Sequence, residues 1–285
     1  MKYDSIILGA GPAGMAAALA LRGRNKSVLM IGNHWSANPL AKAPEVDNYL
    51  GMPKRTGAQM MEEFSNHCEG SGVERVEGRV VSAMIYDGFA LTIGSDLYQG
   101  ETLILAQGVA RQKKYQGEED LLGKGVSYCA TCDGMLYRGK KVVVMGTSKE
   151  VSTDAQFLHG LGCETLVVSM KKPSDLPESI PFRKGSKFEV VGESVVEGIS
   201  VDGEVIPCQG LFILRDAVAP TDLFPTLEVS EGSIVVSRQM ETNIEGIYAA
   251  GDCTGAPLQV AKAVGEGHVA GLAAAHRLEQ KKMTK

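Results

Sequence analysis

The sequence predicts an α/β protein of two domains, the second inserted into the first. Three observations carry that expectation. A short apolar strand opens into a glycine-rich turn and a helix at the start. The same strand–turn–helix pattern restarts near residue 141. An apolar strand and a long helix then close the chain, where it returns to the first domain.

In chain order, residues 5–8 read as a buried strand, 13–24 as a helix and 27–31 as a second buried strand. A loop leads to a helix over 57–70. Three short alternating segments follow (79–85, 89–93 and 97–98), with turns at Asp87-Gly88 and Gly94-Ser95, and read as an antiparallel meander. A strand over 102–106 closes the unit at Gln107-Gly108. The polar stretch 111–114 marks the first boundary, which gives a discontinuous first domain over 1–111 and 242–285 and an inserted domain over 112–241. Within the insert, strands are expected at 141–145 and 165–169 around a helix near 150–161. A Pro-, Ser- and Lys-rich stretch follows over 171–187, then short strands within 188–199 and at 210–214. A strand at 247–250 and a helix over 258–278 complete the first domain.

The 285 residues suffice for two cores of ordinary size. A net charge of -5 argues against general nucleic-acid binding. No apolar run is long enough for a membrane helix, and the start reads as a strand rather than a signal peptide, so no membrane association and a cytoplasmic location are expected. Of six cysteines, Cys68, Cys163, Cys208 and Cys253 stand alone and read as buried packing thiols. Cys129 and Cys132 are two residues apart, and only they form a candidate reactive pair.

Gly9-Ala10-Gly11-Pro12-Ala13-Gly14 lies between a strand and a helix, where a dinucleotide-binding turn belongs. Gly9 permits the tight turn, Gly11 lets the backbone approach a pyrophosphate, and Gly14 lets the helix pack against the sheet. The helix start, with Pro12 and Ala13, offers unpaired N–H groups to that phosphate. This turn alone does not separate FAD from NAD. The apolar strand ending in Gly251-Asp252 does, because it resembles the second FAD motif of the pyridine nucleotide–disulfide reductases; the resemblance implies that Asp252 bonds the flavin's ribityl chain. Pro257 reads as a first-turn residue of the last helix. Gln259, Val260 and Ala261 would then stand at a helix start facing the flavin's pyrimidine edge, stabilising the anionic reduced ring by about 0.3–2 kcal/mol.

Cys129-Ala-Thr-Cys132-Asp133 has the spacing of a redox-active pair, which brings two sulfurs within bonding reach and lowers one thiol's pKa. Zinc would require a second ligand pair, which the sequence lacks. Asp133 is a candidate general acid. The run from Gly125 to Gly134 resembles the active-site segment of low-molecular-weight thioredoxin reductases. Residues 45–48 resemble their flavin-contacting loop, which makes Asn48 a ring contact, and residues 242–246 also match. The resemblance implies two Rossmann-like (three-layer ββα) domains, a homodimer, and an inserted domain that swings, for which the polar stretches 111–114 and 241–243 are the candidate hinges. It also implies that Cys132 exchanges electrons with FAD, that Cys129 attacks the thioredoxin disulfide, and that Asp133 protonates the departing thiolate.

The second dinucleotide turn departs from that family. Where a Gly-x-Gly-x-x-Ala/Gly turn is expected, the sequence has Gly146-Thr-Ser148-Lys-Glu150-Val151. Ser148 puts a side chain where backbone should approach a pyrophosphate, Val151 is bulky where the helix should pack close, and Glu150 would repel a phosphate. The family's His-Arg-Arg cluster for the ribose phosphate is replaced by Met170-Lys171-Lys172-Pro173, which lacks the arginine fork. Loss of NADPH binding is expected, as in the ferredoxin-dependent flavin thioredoxin reductases. Ferredoxin near -400 mV can drive thioredoxin near -270 mV by about 130 mV, roughly 6 kcal/mol for two electrons. Candidate docks for an acidic ferredoxin are Arg111 with Lys113 and Lys114, Lys171 with Lys172, and Lys281 with Lys282 and Lys285. An NADPH-dependent reductase with an unusual pocket, another reductant such as a deazaflavin, and a flavoprotein redox sensor stay open as alternatives. Near the flavin, the family's Gly-Gly-Gln-Leu loop is replaced by Ala37-Asn38-Pro39-Leu40 and its Ala-Thr-Gly by Ala106-Gln107-Gly108. Trp35, the single tryptophan, reads as packing or as a shield for the cofactor.

Overall fold

Alternating and continuous apolar runs become one mixed and one parallel sheet. The structure, a computed structural model, describes residues 2–109, 114–146, 148, 150–215 and 219–283. The chain divides into one compact unit of residues 1–110 and 219–285 and a second of 111–218.

The first unit begins with β1 (Lys2–Leu8), α1 (Pro12–Arg22), β2 (Val28–Ile31), α2 (Gly57–Gly70), β3 (Glu74–Val76), β4 (Val80–Ile85), β5 (Phe89–Ile93) and β6 (Asp96–Leu105). Thr56 caps α2: its side chain accepts the Gln59 N–H while Gln59 accepts the Thr56 N–H, a reciprocal capping box. The segments expected at 97–98 and 102–106 are one strand. The first half of β6 pairs antiparallel with β5, and the strand then runs on, parallel to β1. Gly100 permits this, because a Cβ there would lie 2.8 Å from the Ile6 side chain.

The second unit holds β7 (Val126–Ser127), α3 (Ala130–Asp133), β8 (Lys141–Gly146), α4 (Val151–Gly160), β9 (Glu164–Ser169), β10 (Phe182–Lys184), β11 (Phe188–Val191), β12 (Gly198–Val201), β13 (Glu204–Pro207) and β14 (Gly210–Leu214). Its parallel sheet has the order β10-β9-β8-β14-β7, and β11-β12-β13 form an antiparallel sheet. The period of two sorts the layers. Val142 and Val144 of β8 pack with Val151, Ala155 and Leu158 of α4. Val143 and Met145 pack with Val190, Ile199 and Val201 of the meander. Each such buried side chain contributes roughly 1.5–3 kcal/mol. The polar stretch 171–187 supplies β10, which adds in parallel to β9.

The chain returns to the first unit at Ala219, not at residue 242. It continues through α5 (Pro220–Leu223), β15 (Val229–Ser230), β16 (Ser233–Ile234), β17 (Ile247–Ala249) and α6 (Val260–Met283). The reason is apolar burial: Leu223, Phe224 and Leu227 are buried, and Phe224 meets Phe89 edge-on at 6.4 Å. Residues 241–243 are therefore not a joint. Glu241 bridges Tyr248, and the Asn243 side chain donates to Thr226 O at 2.7 Å and accepts the Glu228 N–H. The other expected joint, 111–114, lies outside the described residues except for Lys114. Helix α6 lies against α1 through small residues: a Cβ on Gly267 would fall 2.1 Å from Ala13 O, and one on Gly271 2.5 Å from Ala17 O. No described helix is long and apolar enough to cross a membrane.

Candidate active site

Glycine at the end of β1 builds a dinucleotide turn in the first unit. Gly9 has φ +119°, and a Cβ on it would lie 2.1 Å from Ala106 O. A Cβ on Gly14 would lie 1.9 Å from Gly9 O, so strand, turn and helix meet backbone to backbone. Helix α1 starts after Gly11 with Pro12 in its first turn and no side-chain cap, which leaves the Ala13 and Gly14 N–H groups for an anion. Asn38, from the altered loop, stands over Gly11: its Nδ2 would be 2.9 Å from a Cβ there, while its Oδ1 accepts the Leu40 N–H. Trp35 is half-buried against this core beside His34.

Gly251, φ +86°, ends the β17 segment, and a Cβ on it would lie 2.8 Å from the Ala13 side chain. Asp252 follows in a short turn, Asp252–Thr254. The start of α6 differs from expectation. Pro257 precedes the helix, the Gln259 N–H closes a turn on Pro257 O, and the first helical bond runs from Ala263 N–H to Gln259 O. Gln259 is thus the last residue before the helix, and Val260 and Ala261 open it. Two residues singled out 211 positions apart are joined: Asn48 Nδ2 donates to Gln259 Oε1 at 3.0 Å. A cradle closed to any Cβ at Gly9, Gly14 and Gly251, with a helix start open to an anion, fits the pyrophosphate of FAD.

The second unit carries the cysteine pair. Cys129 and Cys132 form a disulfide across the start of α3. Cys129 is buried at 5% exposure whereas Cys132 is exposed, so the two sulfurs are not equivalent. The Cys132 N–H donates to Cys129 Sγ at 3.1 Å, and Thr131 Oγ1 lies 3.4 Å from that sulfur. Asp133 is held by Ser127, which no local motif marks. Buried Ser127 places its hydroxyl 2.7 Å from Asp133 Oδ2 and accepts the Cys129 N–H at 3.0 Å. Ahead of the pair, Tyr128 donates to Glu118, which also pairs with Arg215 and accepts the Tyr115 N–H. Burial pushes the Glu118 carboxyl up, but the Arg215 guanidinium and these donors outweigh it and leave the pKa lowered. Met135 and Leu136, just past the pair, are apolar and exposed. The four other cysteines are buried thiols; burial pushes Cys68 and Cys208 up to about 12.

Among the described residues of the second turn, Ser148 bonds within the turn itself. Gly146, φ +143°, is required, since a Cβ would lie 1.8 Å from Leu214 O. Ser148 Oγ then accepts the Glu150 N–H at 3.2 Å, and Val151 N–H bonds Ser148 O. Val151 is buried against the strands, and Glu150 caps α4 without a side-chain bond. The Glu150 and Val151 N–H groups are both taken by Ser148. These residues do not fit a dinucleotide phosphate. Of the candidate basic docks, Lys114 pairs with Glu119 and Lys281 with Glu101; Lys171 and Lys172 are exposed. Arg111, Lys113 and Lys285 lie outside the described residues, as does the Lys282 side chain.

Known proteins agree with this arrangement. Residues 3–267 match the family described as pyridine nucleotide-disulphide oxidoreductase. A thioredoxin reductase of Listeria monocytogenes is 31% identical over 98% of this chain and 95% of its own length. A crystal structure of a ferredoxin-flavin thioredoxin reductase from Clostridium acetobutylicum superimposes with a TM-score of 0.90 at 39% identity, covering 98% of this chain and 99% of that one. The atypical thioredoxin reductase of Desulfovibrio vulgaris Hildenborough gives 0.73 at 31%, covering 97% and 98%. The chain therefore belongs to the pyridine nucleotide-disulphide oxidoreductase family, among relatives of thioredoxin reductase, and FAD is its cofactor.

Proposed function

We propose that the protein is a thioredoxin reductase that takes electrons from reduced ferredoxin and passes them through FAD to the Cys129–Cys132 disulfide and on to thioredoxin. The observation that carries the choice of donor is the second turn. Ser148 binds the Glu150 N–H and Val151 is buried in the turn after β8, where a dinucleotide turn would have glycines, and this supports a donor other than NADPH. The similarity to a ferredoxin-flavin thioredoxin reductase supports the same donor.

Bound FAD would supply the change from one-electron to two-electron transfer; the turn at Gly9–Gly14 and the Asp252 and Asn48–Gln259 contacts would hold it. Exposed Cys132 is the sulfur suited to exchange with the flavin. Two electrons break the S–S bond and leave two sulfurs that gain protons as thiols. Cys129 is the sulfur for the substrate: its thiolate attacks the thioredoxin disulfide, forms a mixed disulfide and releases one thioredoxin thiolate, which Asp133 protonates. Cys132 then attacks Cys129 Sγ, restores the internal disulfide and releases the second thioredoxin thiol. Hydrogen bonds from the Cys132 N–H and Thr131 favour negative charge on Cys129. Apolar, exposed Met135 and Leu136 beside the pair suit a protein substrate. A homodimer is expected.

Anaerobic turnover with thioredoxin, driven in parallel by reduced ferredoxin and by NADPH, tests this. Ferredoxin should sustain thioredoxin reduction while NADPH leaves the flavin yellow. Rapid bleaching by micromolar NADPH would overturn the proposed donor.

A further inference from the structure

The turn that presents Asp252 is held from behind by two charges. Lys262 and Glu266 lie one helical turn apart near the start of α6, with side chains 15% and 21% exposed. Lys262 Nζ donates to Gly251 O at 2.7 Å, Gly255 O at 2.7 Å and Thr254 Oγ1 at 2.8 Å, and lies 3.2 Å from Glu266 Oε2. Glu266 Oε2 accepts the Gly251 N–H at 2.9 Å and faces Thr254 Oγ1 at 2.8 Å. Both polar groups of Gly251 are thus fixed by one ion pair on the helix. Gly251 has φ +86° and sits against Ala13 of α1, so the peptide leading into Asp252 has little freedom once the pair is formed.

We infer that Lys262 and Glu266 are positioning residues for the flavin, fixing the Asp252 turn to the helix that begins at Val260. The inference rests on Asp252 and the start of α6 being flavin contacts. The ammonium is matched by three neutral oxygens and a carboxylate, a set that a purely apolar packing residue would not need. The pair is also electrically balanced only as long as both members are present. Removing the cation leaves an extra negative charge behind the turn, and removing the anion leaves an extra positive one. Because the reduced flavin ring is anionic, the two losses act on its midpoint potential with opposite sign. Both losses free the turn, so both weaken retention of FAD, by about tenfold for the loss of one charge-assisted set of hydrogen bonds.

The test uses the full-length FAD-loaded protein, wild type beside Lys262→Met and Glu266→Gln. Midpoint potential is measured by anaerobic dye titration, and FAD release by recovery of free-flavin fluorescence. The expected result is a lower potential in K262M, a higher one in E266Q and about tenfold faster release in both. Equal potentials in all three proteins, shifts of the same sign, or release at the wild-type rate would overturn the inference. A positional effect alone gives no reason for opposite signs. If K262M does not accumulate folded, the near-isosteric E266Q decides alone: a raised potential with faster release supports the inference, and any other result overturns it. Asp252→Ala separates the two levels of the argument. Wild-type retention of FAD in D252A would remove Asp252 from the flavin site, whereas altered D252A with unaltered K262M and E266Q would remove only the positioning pair.

Discussion

The two turns that follow β1 and β8 occupy the same place in similar parallel sheets, and they teach opposite lessons about glycine. After β1, Gly9 and Gly14 are forced by backbone less than 2.2 Å from any added Cβ, and the uncapped helix start is left open to an anion. After β8, only Gly146 is kept. It is the glycine that the turn itself demands, because Leu214 O would collide with its Cβ. The residues that a ligand would demand have become Ser148 and Val151, which bond and pack among themselves. The second unit also contains a fully buried Glu118 paired with Arg215.

The largest effect comes from giving the first turn the residue of the second. Gly14→Val puts side-chain atoms where Gly9 O stands and should abolish FAD retention, so that purified protein is colourless; yellow protein at wild-type occupancy would break the comparison. Next, Arg215→Met leaves the Glu118 carboxylate buried without its cation and should cost about 3–5 kcal/mol in denaturant unfolding, confined to the second unit. The sign with pH follows from the lowered folded pKa. Glu118 stabilises above its ordinary value of 4.5, and that contribution is lost as pH falls through the lowered value. The deficit of R215M should therefore be largest near neutral pH and shrink as acid protonates Glu118, read by denaturant unfolding at stepped pH with circular dichroism. The smallest effect is restoration. Ser148→Gly with Glu150→Ala and Val151→Ala frees the Glu150-position N–H and removes a charge, and should raise NADPH affinity by about tenfold by calorimetry. No gain would place the obstruction elsewhere, at the missing arginine fork beyond β9.

The strands and turns that hold the sites were legible because each is local. Strand, glycine turn and helix at residues 5–24 and the Cys-x-x-Cys pair are read from neighbours in sequence. So were the three departures at Ser148, Glu150 and Val151. What escaped depends on distant partners. The unity of β6 is decided by Ile6 under Gly100, and the return at Ala219 by Phe224 against Phe89. Ser127 gave no signal because its role is a bond to Asp133 across the disulfide turn. Lys262 and Glu266 look like an ordinary i,i+4 surface pair until the turn at Gly251–Gly255 is folded back onto them.

The sequence by itself determined the chemistry. It encodes two sulfurs at a spacing that lets them bond, a glycine turn that admits a pyrophosphate, and a second turn that has lost its ligand-facing glycines. The tertiary structure alone decided which sulfur is buried, which strand completes which sheet, and what holds Asp252 and Asp133 in place. Those outcomes depend on backbone and side chains up to hundreds of positions apart meeting at hydrogen-bond and van der Waals distance, and local propensity carries no record of that meeting.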